Sequence, residues 1–185
     1  IRNTNVYFSL FIDDLALDDL LKPDRQRNYL GFTAGFQTYD VLLKNLEFTA
    51  EYTRTNPWVY THKITATEFT NNGYIMGSWM GQNADNIFLD LSYRPVRSFL
   101  FGGTVQVFRK GGLKDISYQY KYPSQPFLYG PFHEDRSVGI HARYQFVRDG
   151  FIDARITSRT TSVEALHLSN DRKFEFSVSA RYGLW

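Results

Sequence analysis

Residues 56–85 combine aromatic rings with amides, hydroxyls and acids in a way that suits carbohydrate recognition. Sugar rings have apolar C–H faces and polar edges, so an amphipathic aromatic side chain beside amide or carboxylate groups can hold them. An interfacial aromatic belt without a ligand explains Trp58 and Tyr60 equally well, whereas Trp79 favours the binding role. The predicted polysaccharide-binding residues of this segment are Trp58, Tyr60, His62, Tyr74, Trp79, Asn83 and Asp85.

Residues 109–135 form a second candidate surface, in which cations alternate with aromatic residues. Positive charge at an outer surface suits an anionic polymer, either an acidic polysaccharide or the phosphates of lipopolysaccharide. The tyrosines of this segment also fit a strand that continues above a membrane. The predicted binding residues here are Lys110, Lys114, Tyr118 and Lys121.

Signals for metals, cofactors and catalysis are weak. The acidic run DDLALDDLLKPD at residues 13–24 offers oxygen ligands for calcium, but its leucines favour a short amphipathic helix. His141 with Arg143 on one strand face suggests a base, yet the chain has four His, no Cys and no G-x-S-x-G turn. We therefore predict no catalytic residues, no metal and no cofactor.

Alternating apolar and polar residues indicate the elements that must carry these segments. Phe174, Phe176 and Val178, for example, alternate with Glu175 and Ser177. A period of two indicates a strand with one buried face. The predicted strands are residues 5–12, 29–38, 45–55, 86–94, 98–108, 136–147, 151–161 and 172–185.

The connections between these strands alternate between short and long. Turn residues such as Pro95 mark tight turns at 39–44, 94–98 and 147–150, whereas 13–28, 56–85, 109–135 and 162–171 are long. Short turns at one end and long loops at the other are typical of an outer-membrane β-barrel, and a soluble β-sandwich is the alternative. We predict an all-β, antiparallel transmembrane outer-membrane β-barrel with about eight strands.

Composition agrees with a barrel that faces lipid. Aromatic residues make up 17% of the 185 residues, while no apolar run approaches the roughly 20 residues of a membrane helix. The net charge of +2 is too small to indicate nucleic acid. Outer-membrane lipid and lipopolysaccharide are the predicted surroundings.

The alternation also assigns a lipid-facing side and an inner wall. Phe8, Leu89 and Ile140 belong to the lipid-facing set. The opposite side carries charges of both signs, which we expect to pair across strands. These charged residues include Glu47, Glu51, Asp90, His141, Arg143, Asp153, Arg155, Arg159, Lys173, Glu175 and Arg181.

Two stretches resemble a known family. WVYTHKI followed by GYIMGSWMGQNADNIFLDLSYRP is similar to the C-terminal part of the capsule assembly protein Wzi family of outer-membrane barrels, including its Bacteroidetes relatives, and the opening YFSLFIDDLALDD resembles the strand and acidic turn before it. The resemblance covers most of residues 7–95. It implies a non-enzymatic, lectin-like barrel that holds capsular polysaccharide at the exterior of a Gram-negative cell. The matching positions are Tyr60, His62, Gly77, Gly81, Asn83 and Asp85.

Two functions follow from these observations. The first is an outer-membrane protein that binds acidic or capsular polysaccharide during capsule assembly. The second is a structural or partner subunit of an outer-membrane export complex, in which the barrel contacts another outer-membrane protein. Residues 1–185 are expected to form a single β-barrel domain or the C-terminal portion of one, because this chain is shorter than the barrel of the family it resembles.

Overall fold

A computed structural model describes residues 3–15, 29–40, 42–62, 69–72, 74–112, 119, 125–164 and 168–183. Within these ranges the chain forms an all-β structure with one eight-stranded sheet and a separate hairpin. The strands are β1 (Thr4–Asp14), β2 (Tyr29–Tyr39), β3 (Leu46–Thr55), β4 (Thr70–Asn71), β5 (Tyr74–Ile75), β6 (Ala84–Val96), β7 (Phe99–Lys110), β8 (His133–Val147), β9 (Gly150–Val163) and β10 (Leu168–Tyr182).

The large sheet has the order β1-β2-β3-β6-β7-β8-β9-β10, and every neighbouring pair is antiparallel. The strands of this sheet therefore follow one another in chain order. The β4–β5 hairpin lies within the long connection between β3 and β6. The eight predicted strands and the antiparallel all-β fold are confirmed.

The boundaries differ mainly at the end of the sheet that carries the long connections, which we call the loop end. There β6 begins at Ala84 and β7 extends to Lys110, because the backbone ladder between them continues past the apolar residues. The predicted long connection at residues 162–171 is wrong: β9 extends to Val163 and β10 begins at Leu168. The last strand ends at Tyr182, and Trp185 lies outside the described residues.

One face of the sheet, the apolar face, is hydrophobic across its whole width. A single row of paired positions carries an apolar side chain on seven of its eight strands, and many of these side chains are exposed, including Val138 at 58% and Phe174 at 72%. A continuous exposed apolar surface of this kind indicates a membrane or a partner. The row consists of Val6, Phe36, Ala50, Leu89, Val105, Val138 and Phe174, with Ser158 between the last two.

The opposite face, the polar face, carries the predicted charge pairs. Asp153 accepts hydrogen bonds from Arg143 Nε at 2.6 Å and from Arg181 Nη2 at 2.9 Å. These residues are cross-strand or diagonal neighbours, which is the geometry in which opposite charges stabilise a sheet. Part of this face, on β6 to β10, lines a cavity of about 860 Å³.

Among the described residues, β1 and β10 form the two edges of the sheet and are not paired with each other, so the sheet is open. The buried hydrophobic cluster is small and lies at the loop end, where Trp58, Val59 and Tyr60 pack with Tyr29 and Tyr129. The described chain holds no helix that combines the length and apolarity needed to span a bilayer.

Candidate functional site

The segment after β3 enters a strained turn at residues 57–60. Trp58 and Tyr60 have φ values of 69° and 71°, a left-handed conformation that costs large L-residues about 1 to 2 kcal/mol each. The turn is held from two sides, because Gln82 Oε1 accepts the Trp58 N–H at 2.7 Å and Asp13 Oδ2 accepts the Tyr60 N–H at 3.0 Å. Backbone strain that is fixed by surrounding contacts concentrates at functional sites.

The rings of Trp58 and Tyr60 are buried by this turn, at 1% and 6% exposure. Tyr60 packs against Phe11 of β1 at 5.0 Å between ring centroids, and its hydroxyl accepts the Ser78 N–H at 3.1 Å. A Cβ on Gly77 would lie 2.3 Å from a Tyr60 ring carbon, so this glycine allows the close approach. At these exposures both rings serve mainly as the scaffold of the site.

Asn83 joins three separate segments at the loop end. Its Nδ2 donates to the carbonyls of Tyr129 at 3.1 Å and Gly112 at 3.2 Å, while its Oδ1 accepts the Leu128 N–H at 2.8 Å. The backbone N–H of Asn83 also donates to the Asn56 carbonyl at 3.1 Å. The side chain is fully buried, at 0% exposure, so Asn83 links the turn of residues 57–60 to the ends of the next long connection.

Asp85 and Lys110, predicted as loop residues, belong to strands β6 and β7. Asp85 is buried and accepts a hydrogen bond from Arg109 Nε at 2.9 Å and one from the Tyr52 hydroxyl at 3.1 Å. Lys110 donates from Nζ to the Met80 carbonyl. Both side chains are therefore engaged in holding the loop end together.

His62 is partly exposed and interacts with Asp13, whose Oδ1 lies 3.2 Å from His62 Nε2. Asp13 thus contacts both His62 and the backbone of Tyr60, which gives the first acid of the run at residues 13–24 a structural role. Residues 16–24 of that run lie outside the described residues. In the ranges that the structure covers, no cluster of three or more His, Cys, Asp and Glu side chains is arranged to hold a metal ion.

Trp79 is a large exposed aromatic residue, at 71% exposure. Its ring lies 5.1 Å from that of Phe108 on the polar face of β7, so one side is supported and the rest is accessible. It borders a groove of about 360 Å³, which we call the Trp79 groove, between the loop segment and strands β1 to β3. The polar side chains that line it are Ser9, Thr33, Glu51, Thr53, Thr55 and Ser78.

Tyr60 also lines this groove, whereas the other predicted site residues do not. Tyr74 on β5 is highly exposed, at 79%, and Lys114, Tyr118 and Lys121 lie outside the described residues. Their role in polysaccharide binding stays a prediction. Sequence reasoning missed Ser9, Thr53 and Thr55 as groove residues, because they read only as the polar half of an alternating strand; their position at the loop end of adjacent strands was the available signal.

Farther down the polar face, Ser92, His141 and Asp90 lie together. Ser92 Oγ is 3.3 Å from His141 Nε2 but donates at 2.7 Å to Asp90, and His141 Nδ1 is 4.0 Å from the Asp90 carboxylate. The last distance exceeds that of a hydrogen bond, and the serine proton is directed to the acid instead of the imidazole. This arrangement differs from a nucleophile–base–acid triad, so it is a polar pairing within the wall.

Taken together, an open antiparallel sheet with an apolar face, a polar face and a hydrogen-bonded loop end is consistent with a fragment of a β-barrel. The family described as "Capsule assembly protein Wzi" matches residues 1–96, which is more than half of the 185 residues. The chain belongs to this family, which confirms the resemblance seen in its sequence. Comparisons with curated proteins and with solved structures gave no match.

Proposed function

We propose that this protein is an outer-membrane barrel component that binds capsular polysaccharide at the cell exterior, without catalysing a reaction on it. The observation that carries the proposal is the Trp79 groove, in which an accessible indole ring stands beside a carboxylate and a series of hydroxyls. Membership of a capsule assembly family supports a glycan as the ligand.

The membrane part of the proposal rests on the apolar face. Its exposed row of Val, Phe and Leu side chains crosses the whole width of the sheet, and lipid is a solvent in which such a surface is stable. Lipid also requires that the edges of the sheet be paired, so in the bilayer β1 and β10 pair with each other or with further strands. The loop end, with its longer connections, then corresponds to the exterior.

The glycan part rests on complementary chemistry in the Trp79 groove. The indole face offers an apolar platform for sugar C–H groups, and Phe108 behind it limits its movement. The Thr33 and Thr53 hydroxyls, which lie 3.0 Å from each other, and the Glu51 carboxylate offer hydrogen-bond partners for sugar hydroxyls. Glu51 already accepts a hydrogen bond from the Tyr7 hydroxyl at 2.6 Å, which fixes the carboxylate in place.

The test compares the parent protein and Trp79→Ala, purified in detergent, on an array of acidic and neutral capsular oligosaccharides, followed by titration calorimetry on the best ligand. Loss of an aromatic contact of about 2 kcal/mol should weaken binding by about thirtyfold. Tyr39→Ala is the matched control, because Tyr39 is also an exposed aromatic of the polar face but lies at the turn end. Gel mobility before and after boiling checks that all three proteins are folded.

Equal glycan affinity of the parent and Trp79→Ala would refute the groove as the binding site. Absence of glycan binding in the folded parent, together with capture of an outer-membrane protein that is lost on substitution of the apolar face, would favour the export-complex subunit instead. The basic residues Lys114 and Lys121 provide a further check: their neutralisation should weaken binding of acidic glycans mainly at low salt, because exposed charges are screened over about 8 Å at physiological ionic strength.

A further inference from the structure

On strands β8 and β10 the apolar face ends in an arginine at the loop end. Arg136 and Arg172 occupy the positions next to Val138 and Phe174 on this face, because residues two apart on a strand point the same way. Both arginines pair in register with Thr160 of the strand between them. The change from valine and phenylalanine to arginine therefore occurs at the same level on the two strands that flank β9.

The position of this boundary matches the edge of a hydrocarbon layer. On β8 the apolar-face positions run from Val138 to Phe146, which spans about 27 Å along the strand at roughly 3.4 Å per residue. A strand tilt of about 40° reduces this span to about 21 Å, close to the apolar band of about 25 Å in outer-membrane barrels. Arg136 and Arg172 then lie at the depth of lipid head groups.

A cavity of about 720 Å³ opens between these arginines on the same side of the sheet. It contains two arginines and one glutamate, which leaves a net charge of +1, and two hydroxyl side chains. Arg136 is 68% exposed and contacts Glu134 through Nε, and a guanidinium has five N–H donors in total. The lining residues are Phe132, Glu134, Arg136, Thr160, Ser162 and Arg172.

The spacing of the two arginines suits a single phosphate group. Two strand intervals place their backbones about 10 Å apart, and the two long side chains can converge above Thr160 from opposite sides. Guanidinium groups bind phosphate through paired, charge-assisted hydrogen bonds, and Ser162 adds a hydroxyl donor. Below this point the acyl chains of the same lipid would contact Val138 and Phe174.

We propose that this cavity binds the phosphate head group of a membrane lipid, with Arg136 and Arg172 as its ligands. The site is separate from the Trp79 groove, which lies on the polar face. It rests on the membrane location within the proposed function but is independent of glycan binding. The phosphate fixes the depth and rotation of this part of the wall in the bilayer.

The experiment titrates the detergent-solubilised protein with phosphatidic acid and with diacylglycerol of the same acyl chains, and counts bound lipid by native mass spectrometry. The parent should prefer phosphatidic acid, and Arg136→Gln/Arg172→Gln should lose about tenfold or more of that preference. Arg155→Gln/Arg159→Gln is the matched control, because it removes the same charge from the polar face of β9. Arg172→Gln alone, on the edge strand, tests the site if the double variant does not fold.

Several outcomes would overturn this assignment. Equal binding of the two lipids by the parent, or an unchanged preference in both Arg172→Gln and the double variant, removes the site. Displacement of phosphatidic acid by inorganic phosphate at equal concentration indicates a free-phosphate site instead of a lipid site. Failure of the parent to insert into liposomes overturns both the site and the membrane location, whereas loss of glycan binding with lipid preference intact overturns only the glycan part of the proposed function.

Discussion

Replacing Asn83 by alanine should open the loop end while leaving the strand ladders intact. The Asn83 side chain is fully buried and makes three hydrogen bonds to the backbone of residues 112, 128 and 129. At about 1 kcal/mol net for each bond, their loss costs about 3 kcal/mol. Asn83 has a φ of 54°, and alanine in this conformation adds about 1 kcal/mol. The expected total is about 4 kcal/mol.

Two further substitutions separate the hydrogen bonds from the backbone strain. Asn83→Gly removes the bonds but accepts a positive φ, so it should cost about 3 kcal/mol. Asn72→Ala is the control for the strain, because Asn72 is exposed and has a similar φ of 49°. That variant should lose only about 1 kcal/mol.

Hydrogen–deuterium exchange measures these differences locally, in peptides that contain residues 56–62, 111–112 and 125–130. An opening free energy lowered by about 3 kcal/mol raises the exchange rate of protected amides by about a hundredfold. Peptides from the centres of β8 and β9 should not change. If Asn83→Gly exchanges like the parent at residues 56–62, the idea that Asn83 links these segments is refuted.

Two other predictions concern the wall. Leu89→Arg on the apolar face should lower the free energy of unfolding in bilayers by about 2 to 4 kcal/mol. Ser137→Arg on the polar face is the control and should cost little. Equal costs of the two substitutions in urea titrations of liposome-inserted protein would contradict the membrane orientation. Arg109→Gln should destabilise by about 3 kcal/mol, because it leaves the Asp85 carboxylate buried at 1% exposure, while Asp85→Asn should cost about 1 kcal/mol because Arg109 is 37% exposed. A larger cost for Asp85→Asn in the same urea titrations would show that this ordering is wrong.

The strands were accessible to sequence reasoning, whereas the roles of the polar and aromatic loop residues were only partly so. Trp79 was predicted as a polysaccharide-binding residue, and the structure places it exposed beside a groove. Trp58 and Tyr60 are aromatic residues of the same segment, but they are buried by a turn. The backbone N–H groups of this turn donate to the side chains of Gln82 and Asp13. Residue type alone does not distinguish a ring that faces solvent from one that packs beneath it.

The sequence by itself determined the eight strands and their two faces, because side chains alternate along any strand whatever its neighbours are. It also indicated the family, through the two stretches that resemble it. The tertiary structure decided which residues form the site. Asp13 is hydrogen-bonded to Tyr60, which lies 47 positions away in the chain. Asn83 is hydrogen-bonded to Tyr129, 46 positions away. Contacts between residues so far apart in the chain depend on strand order and register, which local sequence patterns do not predict. Burial of Asn83 and exposure of Trp79 follow only once the strands have paired.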